Sequence, residues 1–375
     1  MIGPSLRMDE ILVLRALALG DLLCAVPFLR ALRHRYPDAR ITLIGLPWAA
    51  AFVDRFDRYL DHLAEFPGWP GVPEVPFDAA RTLGFLRAAQ AQPAGLAIQA
   101  HGSGLDINAF VALLGANAIA GFVLPRRGAP PGTWIEYPGD VPEVRRHLRL
   151  AAALGADPVD VADERLEWPV RPEDRAELAM ALGIVATHAA PQPGAYAVLH
   201  PGASDPIRRW PAERFAAVGD HLAAQGLAVV VSGVEGEAAQ AAAVAAAMSA
   251  PIVDLAGRTS LGALGALVEG ACLVVTNDTG VGHLADALGT PSVRIFRASD
   301  PKRWAALDES RHAALVPADL GPRCSRSGEP GHPDCAAAGC LREGAEPAPS
   351  RSIVPVEEAI AAVDRLLGSP VGRAA

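Results

Sequence analysis

An α/β protein of two doubly wound domains facing a common cleft is what this sequence predicts, and three observations predict it. The chain has 375 residues, and at roughly 100–200 residues per domain it divides naturally in two. Its composition, 51% hydrophobic and 20% charged, supplies apolar material for two sheets covered by helices. Short apolar strands alternate with helical periodicity in both halves, the pattern of parallel sheets with crossover helices. The domain boundary falls at 175/176, and a closing segment, 353–375, carries a helix that could pack back on the first domain.

The first half opens with Ile11-Leu12-Val13-Leu14, a buried strand, followed by an amphipathic helix from about Leu22 to Arg35 that stops before Pro37-Asp38. Ile41 to Ile44 is the next strand, completing the strand–helix–strand unit that begins a parallel sheet. Leu96 to Gln99 reads as a strand and Asn108 to Leu114 as the helix after it. From Pro125 to Pro142 the chain is rich in Pro, Gly and Arg without periodicity, which predicts a loop. Helical spacing returns from Val144 to Leu154, and Val170 to Pro193 carries the crossover into the second domain.

The second half is more regular. Strands are expected at Tyr196–Leu199, Leu227–Val231, Ile252–Leu255, Leu273–Thr276 and Val293–Phe296. Between them come a helix with Pro211 in its first turn, an Ala-rich helix from Glu237 to Met248, and helices at Leu261–Glu269 and Gly280–Leu288. The last helix runs from Val356 to Leu367.

A net charge of -9 argues against a nucleic-acid partner, because phosphate-backbone affinity requires clustered Lys and Arg. Five cysteines, an odd number unevenly spread, indicate a reducing compartment. Arg15 and Asp21 interrupt the apolar stretch from Ile11 to Phe28, so it is read as strand and helix rather than signal peptide or span. The expectation is a cytoplasmic monomer that meets a membrane, if at all, peripherally from the inner face.

Three loops carry candidate chemistry. Leu19-Gly20-Asp21 lies between a strand and a helix, at the sheet edge where α/β proteins bind ligands. Asp21 is either a helix cap or a group facing the cleft. In the second half, His200-Pro201-Gly202-Ala203-Ser204 leads into Arg208-Arg209-Trp210-Pro211, where main-chain N–H groups, a helix N-terminus and arginines suit a diphosphate. Asn277-Asp278-Thr279-Gly280-Val281-Gly282-His283 has the same placement, with Gly280 and Gly282 admitting a ligand to the main chain. The plainer readings are a solvated surface loop, capping by Asp278 and Thr279, and a buried structural His283.

Two weaker candidates accompany them. His101-Gly102-Ser103-Gly104 lines the cleft on the first domain, but Ile107 stands where a dinucleotide fingerprint needs glycine. Glu235 and Glu237 follow another strand of the second half and are candidates for a ribose hydroxyl. Cys324, His332, Cys335 and Cys340 fit no standard zinc spacing and are read as a loop with free thiols.

Taken in order, Leu14-Arg15 through Leu19-Gly20-Asp21, His200-Pro201-Gly202, Arg209-Trp210-Pro211 and Asp278 to His283 resemble the lipopolysaccharide heptosyltransferases of glycosyltransferase family 9. The resemblance extends over nearly the whole chain. It implies the GT-B fold, two Rossmann-like domains facing a central cleft, with the acceptor on the first and a nucleotide sugar on the second. It also implies Asp21 as the base of a single, inverting displacement. Arg208 falls where the family's Lys-x-Trp-Pro element has a lysine that binds donor phosphates; the charge is kept and the donor geometry differs. Donor residues expected on this basis are Gly202, Ser204, Arg208, Arg209, Glu235, Glu237, Asp278, Thr279, Gly280 and His283, and acceptor-side residues are Gly20, His101, Gly102 and Ser103. The partners implied are a nucleoside-diphosphate sugar, ADP-linked by the resemblance, and a lipid-linked or other glycan. No cofactor is expected, and no metal, since the chain lacks an Asp-x-Asp pair. The rival reading is a nucleotide-sugar or carbohydrate-binding protein without turnover.

Overall fold

The structure is a computed structural model that describes residues 8–125, 128–139, 141–185, 191–317 and 353–368. The chain forms two compact units, the first ending at Arg165 and the second beginning at Leu166.

In the first unit the strands are β1 (Glu10–Leu14), β2 (Arg40–Gly45), β3 (His62–Glu65), β4 (Leu96–Gln99), β5 (Ala118–Val123) and β6 (Thr133–Glu136). The helices are α1 (Leu19–Arg35), α2 (Ala50–Arg55), α3 (Ala79–Ala91), α4 (Asn108–Leu113), α5 (Glu143–Ala153) and α6 (Pro158–Ala162). All strand pairs are parallel, in the order β3-β2-β1-β4-β5-β6. The apolar run of β1 lies at the centre because it is covered on both faces, with Ile11, Val13 and Leu14 buried. On one face α1 buries Leu22 through Leu32 and packs on α5.

The second unit has α7 (Pro172–Val185), β7 (Tyr196–His200), α8 (Ala212–Ala224), β8 (Ala228–Val231), α9 (Ala238–Ala247), β9 (Ile252–Asp254) and α10 (Leu261–Glu269). It continues with β10 (Leu273–Asn277), α11 (Gly280–Leu288), β11 (Ser292–Ile295), α12 (Pro301–Trp304), β12 (His312–Leu315) and α13 (Val356–Gly368). Its sheet, again parallel, is ordered β12-β11-β10-β7-β8-β9. Numbered within its own unit, each sheet has the order 3-2-1-4-5-6 of a dinucleotide-type doubly wound fold.

Four expectations from the sequence change. The stretch from Pro125 to Pro142 is not all loop: β6 lies inside it and pairs with β5. The first helix begins at Leu19, three residues earlier than expected. The division at Arg165/Leu166 leaves α7 whole in the second unit, where it packs on α10, whereas a boundary at 175/176 would have cut it. Finally, α13 joins the core of the second unit: Val354, Ala359, Ala362, Val363 and Leu366 pack in the cluster that contains Trp210, Phe215, Leu222, Val293 and Ile295.

The strand order sets where ligands can bind. Successive connections leave the central strand in opposite directions, so the loops after β1 and β4 diverge, as do those after β7 and β10, and each pair opens a crevice at the carboxyl edge.

Candidate functional site

In the first unit the first turn of α1, which follows β1, carries Gly20 and Asp21, and the loop after β4 carries His101, Gly102 and Ser103. Asp21 is not the helix cap: Ala18 occupies that position without a side-chain cap, and Asp21 stands in the first turn, 22% exposed, where a carboxylate is favoured by the helix dipole. Its Oδ1 lies 3.5 Å from Arg15 Nη2. The loops after β1 and β4 are laced together, because the Ala16 N–H donates to His101 Nδ1 at 3.2 Å and the Gln99 side-chain amide donates to the His101 carbonyl at 2.5 Å. The Ala16 bond, by using Nδ1 as acceptor, leaves the imidazole proton on His101 Nε2, 3.7 Å from Glu74 Oε1. Burial, and then the Arg15 charge, push His101 down to about 3, so the ring is neutral at physiological pH.

In the second unit β7 and β10 are adjacent, and Asn277 joins the loops that follow them. Its Nδ2 donates to the carbonyls of Pro201 and Gly202 at 2.9 and 3.2 Å, and its Oδ1 accepts from the Trp210 N–H at 2.9 Å. Arg209 turns back onto its own loop, donating through Nε and Nη2 to the Ala203 carbonyl at 2.9 and 2.8 Å. Its neighbour Arg208 closes the single helical turn Pro206–Arg208, and its guanidinium forms no hydrogen bond or ion pair among the described residues. Of the two arginines, Arg208 is therefore the one available to an anion. Ser204, in the same loop, is exposed.

Beside this loop, Glu237 fills the space over Gly202: a Cβ there would lie 2.2 Å from the Glu237 carboxyl carbon. Glu237 Oε2 accepts from the Val234 N–H at 3.0 Å and stands 3.8 Å from His200 Nε2. Burial lowers His200, with Glu237 opposing. Glu235, by contrast, is exposed and makes no side-chain bond among the described residues, so of the two glutamates only Glu237 is brought to the β7 loop.

The loop after β10 places Thr279 at the N-terminus of α11, with no side-chain cap and its hydroxyl 3.1 Å from that of Thr276. The first N–H groups of α11 thus have no side-chain acceptor in the loop. Asp278 is directed inward. It accepts from the Ser299 hydroxyl and stands 4.0 Å from Arg294 Nη1; burial raises its carboxyl, and Arg294, the Ser299 bond, Arg208 and Arg303 oppose that shift. Gly282 does not face a ligand as expected: a Cβ there would lie 2.3 Å from Arg294 Nε, so glycine lets α11 settle on the buried arginine. His283 is buried, its ring edge-on to Trp304 at 6.0 Å.

The structure thus brings Gly20, Asp21, His101, Gly102 and Ser103 to one crevice, and Gly202, Arg208, Glu237, Thr279 and Gly280 to the other. Of the residues that hold these loops, Arg15 was quoted from sequence without a role, and Gln99, Glu143 and His147 in the first unit and Ser232, Arg294 and Ser299 in the second were not singled out. A charge just after an apolar strand, as at Arg15, or inside one, as at Arg294, was the available signal. Cys324, His332, Cys335 and Cys340 lie outside the described residues. Among the described residues, no group of three or more His, Cys, Asp or Glu is placed to hold a metal ion, and no helix is long and apolar enough to cross a membrane.

Lipopolysaccharide heptosyltransferase 3 of Escherichia coli K12 is 32% identical over 112 residues, which cover 29% of this chain and 33% of that protein, so the match spans only a third of the relative's length. A glycosyl transferase family 9 structure from Veillonella parvula superposes with a TM-score of 0.69 at 21% identity, covering 83% of this chain and 88% of that one. The E. coli ADP-heptose lipopolysaccharide heptosyltransferase II structure gives 0.63 at 20% identity, covering 96% and 98%. At those identities the superpositions show the fold, which is GT-B. A sequence profile described as Glycosyltransferase family 9 (heptosyltransferase) matches residues 107–327, more than half of the chain. On that match, the chain belongs to glycosyltransferase family 9.

Proposed function

We propose that the protein is an inverting, metal-independent glycosyltransferase that moves heptose or a related sugar from an ADP-linked donor to a hydroxyl of a lipopolysaccharide-core or other envelope glycan. Family membership supports the reaction class, and the names of the relatives support an ADP-heptose donor. The observation that carries the reading is the second unit's crevice, where the unbonded Arg208 guanidinium and the uncapped N-terminus of α11 stand on adjacent loops. Both favour an anion, and a helix N-terminus does so with main-chain donors at no cost in added charge.

In this mechanism Asp21 accepts the proton of the acceptor hydroxyl as its oxygen attacks the anomeric carbon. The bond to the diphosphate breaks on the opposite face, which inverts the configuration. Arg208 and the N–H groups of Thr279 and Gly280 stabilise the departing diphosphate, and Glu237 takes the ribose hydroxyl. The protein works as a monomer in the cytoplasm and meets its lipid-linked acceptor peripherally.

The test is to incubate purified protein with ADP-heptose and a delipidated core acceptor, following ADP release and product configuration by NMR. Acceptor-dependent release with inversion, undiminished by excess EDTA, is expected. Loss with EDTA and rescue by magnesium would refute metal independence. Tight ADP-heptose binding without turnover would favour the binding-protein reading, for which the Arg208 position is the specific argument.

A further inference from the structure

The helix turn that carries Asp21 is held by a buried guanidinium. Arg15 is 1% exposed. Its Nε donates to the Asp21 carbonyl at 2.8 Å, and its Nη1 to the Ala100 carbonyl at 2.6 Å and to His147 Nε2 at 2.8 Å. Its Nη2 donates to Glu143 Oε1 at 3.2 Å and stands 3.5 Å from Asp21 Oδ1. Four of the five N–H groups of the guanidinium are thereby hydrogen-bonded, and Nη2 also faces the Asp21 carboxylate as an ion pair.

The opposite side of this cluster is built by one turn of α5. Glu143, 2% exposed, is shared between Arg15 and Arg146, and Arg146 is itself fixed by the Tyr137 hydroxyl at 2.7 Å and the Pro138 carbonyl at 3.0 Å. His147 Nδ1 lies 2.9 Å from the Glu143 carbonyl; a ring that donates there presents its Nε2 lone pair to Arg15. Burial, and then the Arg15 charge, hold His147 down at about 3, so it accepts as a neutral ring. His101, likewise neutral, and Glu74 complete the charged or titratable groups around Arg15. Two buried arginines therefore share one buried carboxylate, and the second carboxylate within reach is Asp21.

We propose that Arg15 is a positioning residue for Asp21: it ties the first turn of α1 to the β4 loop, lowers the proton affinity of the Asp21 carboxylate and aims it, while Glu143 and His147 set its own orientation. This rests on reading Asp21 as the base. It goes beyond that reading in making the base's proton affinity and direction depend on a residue that touches neither substrate. A lysine has three donors and no planar fork, so it keeps the charge and loses the geometry.

The experiment uses the full chain labelled with ¹³C at aspartate carboxyl carbons, with the Asp21 signal identified by its loss in Asp21→Asn. Relative to wild type, Arg15→Met should raise the Asp21 titration midpoint by about one unit, as expected on removing an adjacent opposite charge. Arg15→Lys should give a smaller rise, and it is read in its place if Arg15→Met does not fold. Glu143→Gln, which removes the competitor for the same guanidinium nitrogen, should give no rise. In transfer assays Arg15→Lys should lower kcat about tenfold while leaving the donor KM unchanged. A midpoint unmoved in the folded Arg15 variants, or a loss confined to KM, overturns the proposal. Full transfer by Asp21→Asn would instead sink the reading of Asp21 as base, an outcome the carboxyl titration does not depend on.

Discussion

Asp21 and Arg208 are the two side chains on which the proposed chemistry turns, and they are held in opposite ways. Asp21 is braced by Arg15, while Arg208 has no bonded partner among the described residues. Asp21→Asn should lower the transfer rate by a factor of about 10²–10⁴, the usual contribution of a general base, and leave ADP affinity in a calorimetric titration unchanged. Arg208→Ala should weaken ADP binding about tenfold to a hundredfold, the loss of a charge-assisted contact, with Arg208→Lys in between. Equal affinities for the three proteins would remove Arg208 from the donor site. The candidate loops were legible in the sequence because small residues and charges follow apolar strands there. Which arginine is available was not legible, since Arg208 and Arg209 are neighbours and only the fold shows Arg209 turned onto Ala203.

Strands with an apolar run announce themselves, whereas those without one do not. β1, β7 and β10 are apolar runs buried on both faces, but β3 (HLAE) and β6 (TWIE) are four-residue edge strands with partly exposed side chains, and their sequences carry no run to recognise. The turns between elements are equally specific in a way that composition hides. Gly202 is required by the Glu237 carboxylate above it. Gly202→Ala should therefore destabilise the protein by about 1–3 kcal/mol, the usual penalty of overpacking, measured by denaturant unfolding. The double variant Gly202→Ala/Glu237→Ala should recover part of that loss, since the clash goes with the carboxylate. Additive effects would show that Glu237 is not what excludes a side chain at 202.

Across the molecule, buried histidines couple stability to pH. His101 and His147 are held at about 3 and His312 at about 4, all by burial first, against an ordinary value of 6.5. Because the folded values are depressed, the unfolded chain takes up protons first on acidification. Stability is therefore full above pH 6.5 and lost as pH falls toward 4, by at most about 1.4 kcal/mol per histidine per pH unit. Asp286, raised by burial to about 6, opposes part of this loss below pH 6. The melting temperature should fall steadily between pH 6.5 and 4.5, and a flat profile would mean that these rings are solvated. The place of α13 has a consequence for how the protein is made. The Trp210 indole N–H and Arg214 both donate to the Val354 carbonyl, at 3.0 and 2.6 Å, and α13 covers the apolar face beside them. During synthesis β12 is complete at Leu315, yet the ribosome needs on the order of seconds more to reach Val354. For that interval the face of the nascent second unit that carries Trp210, Phe215 and Leu222 lacks its cover.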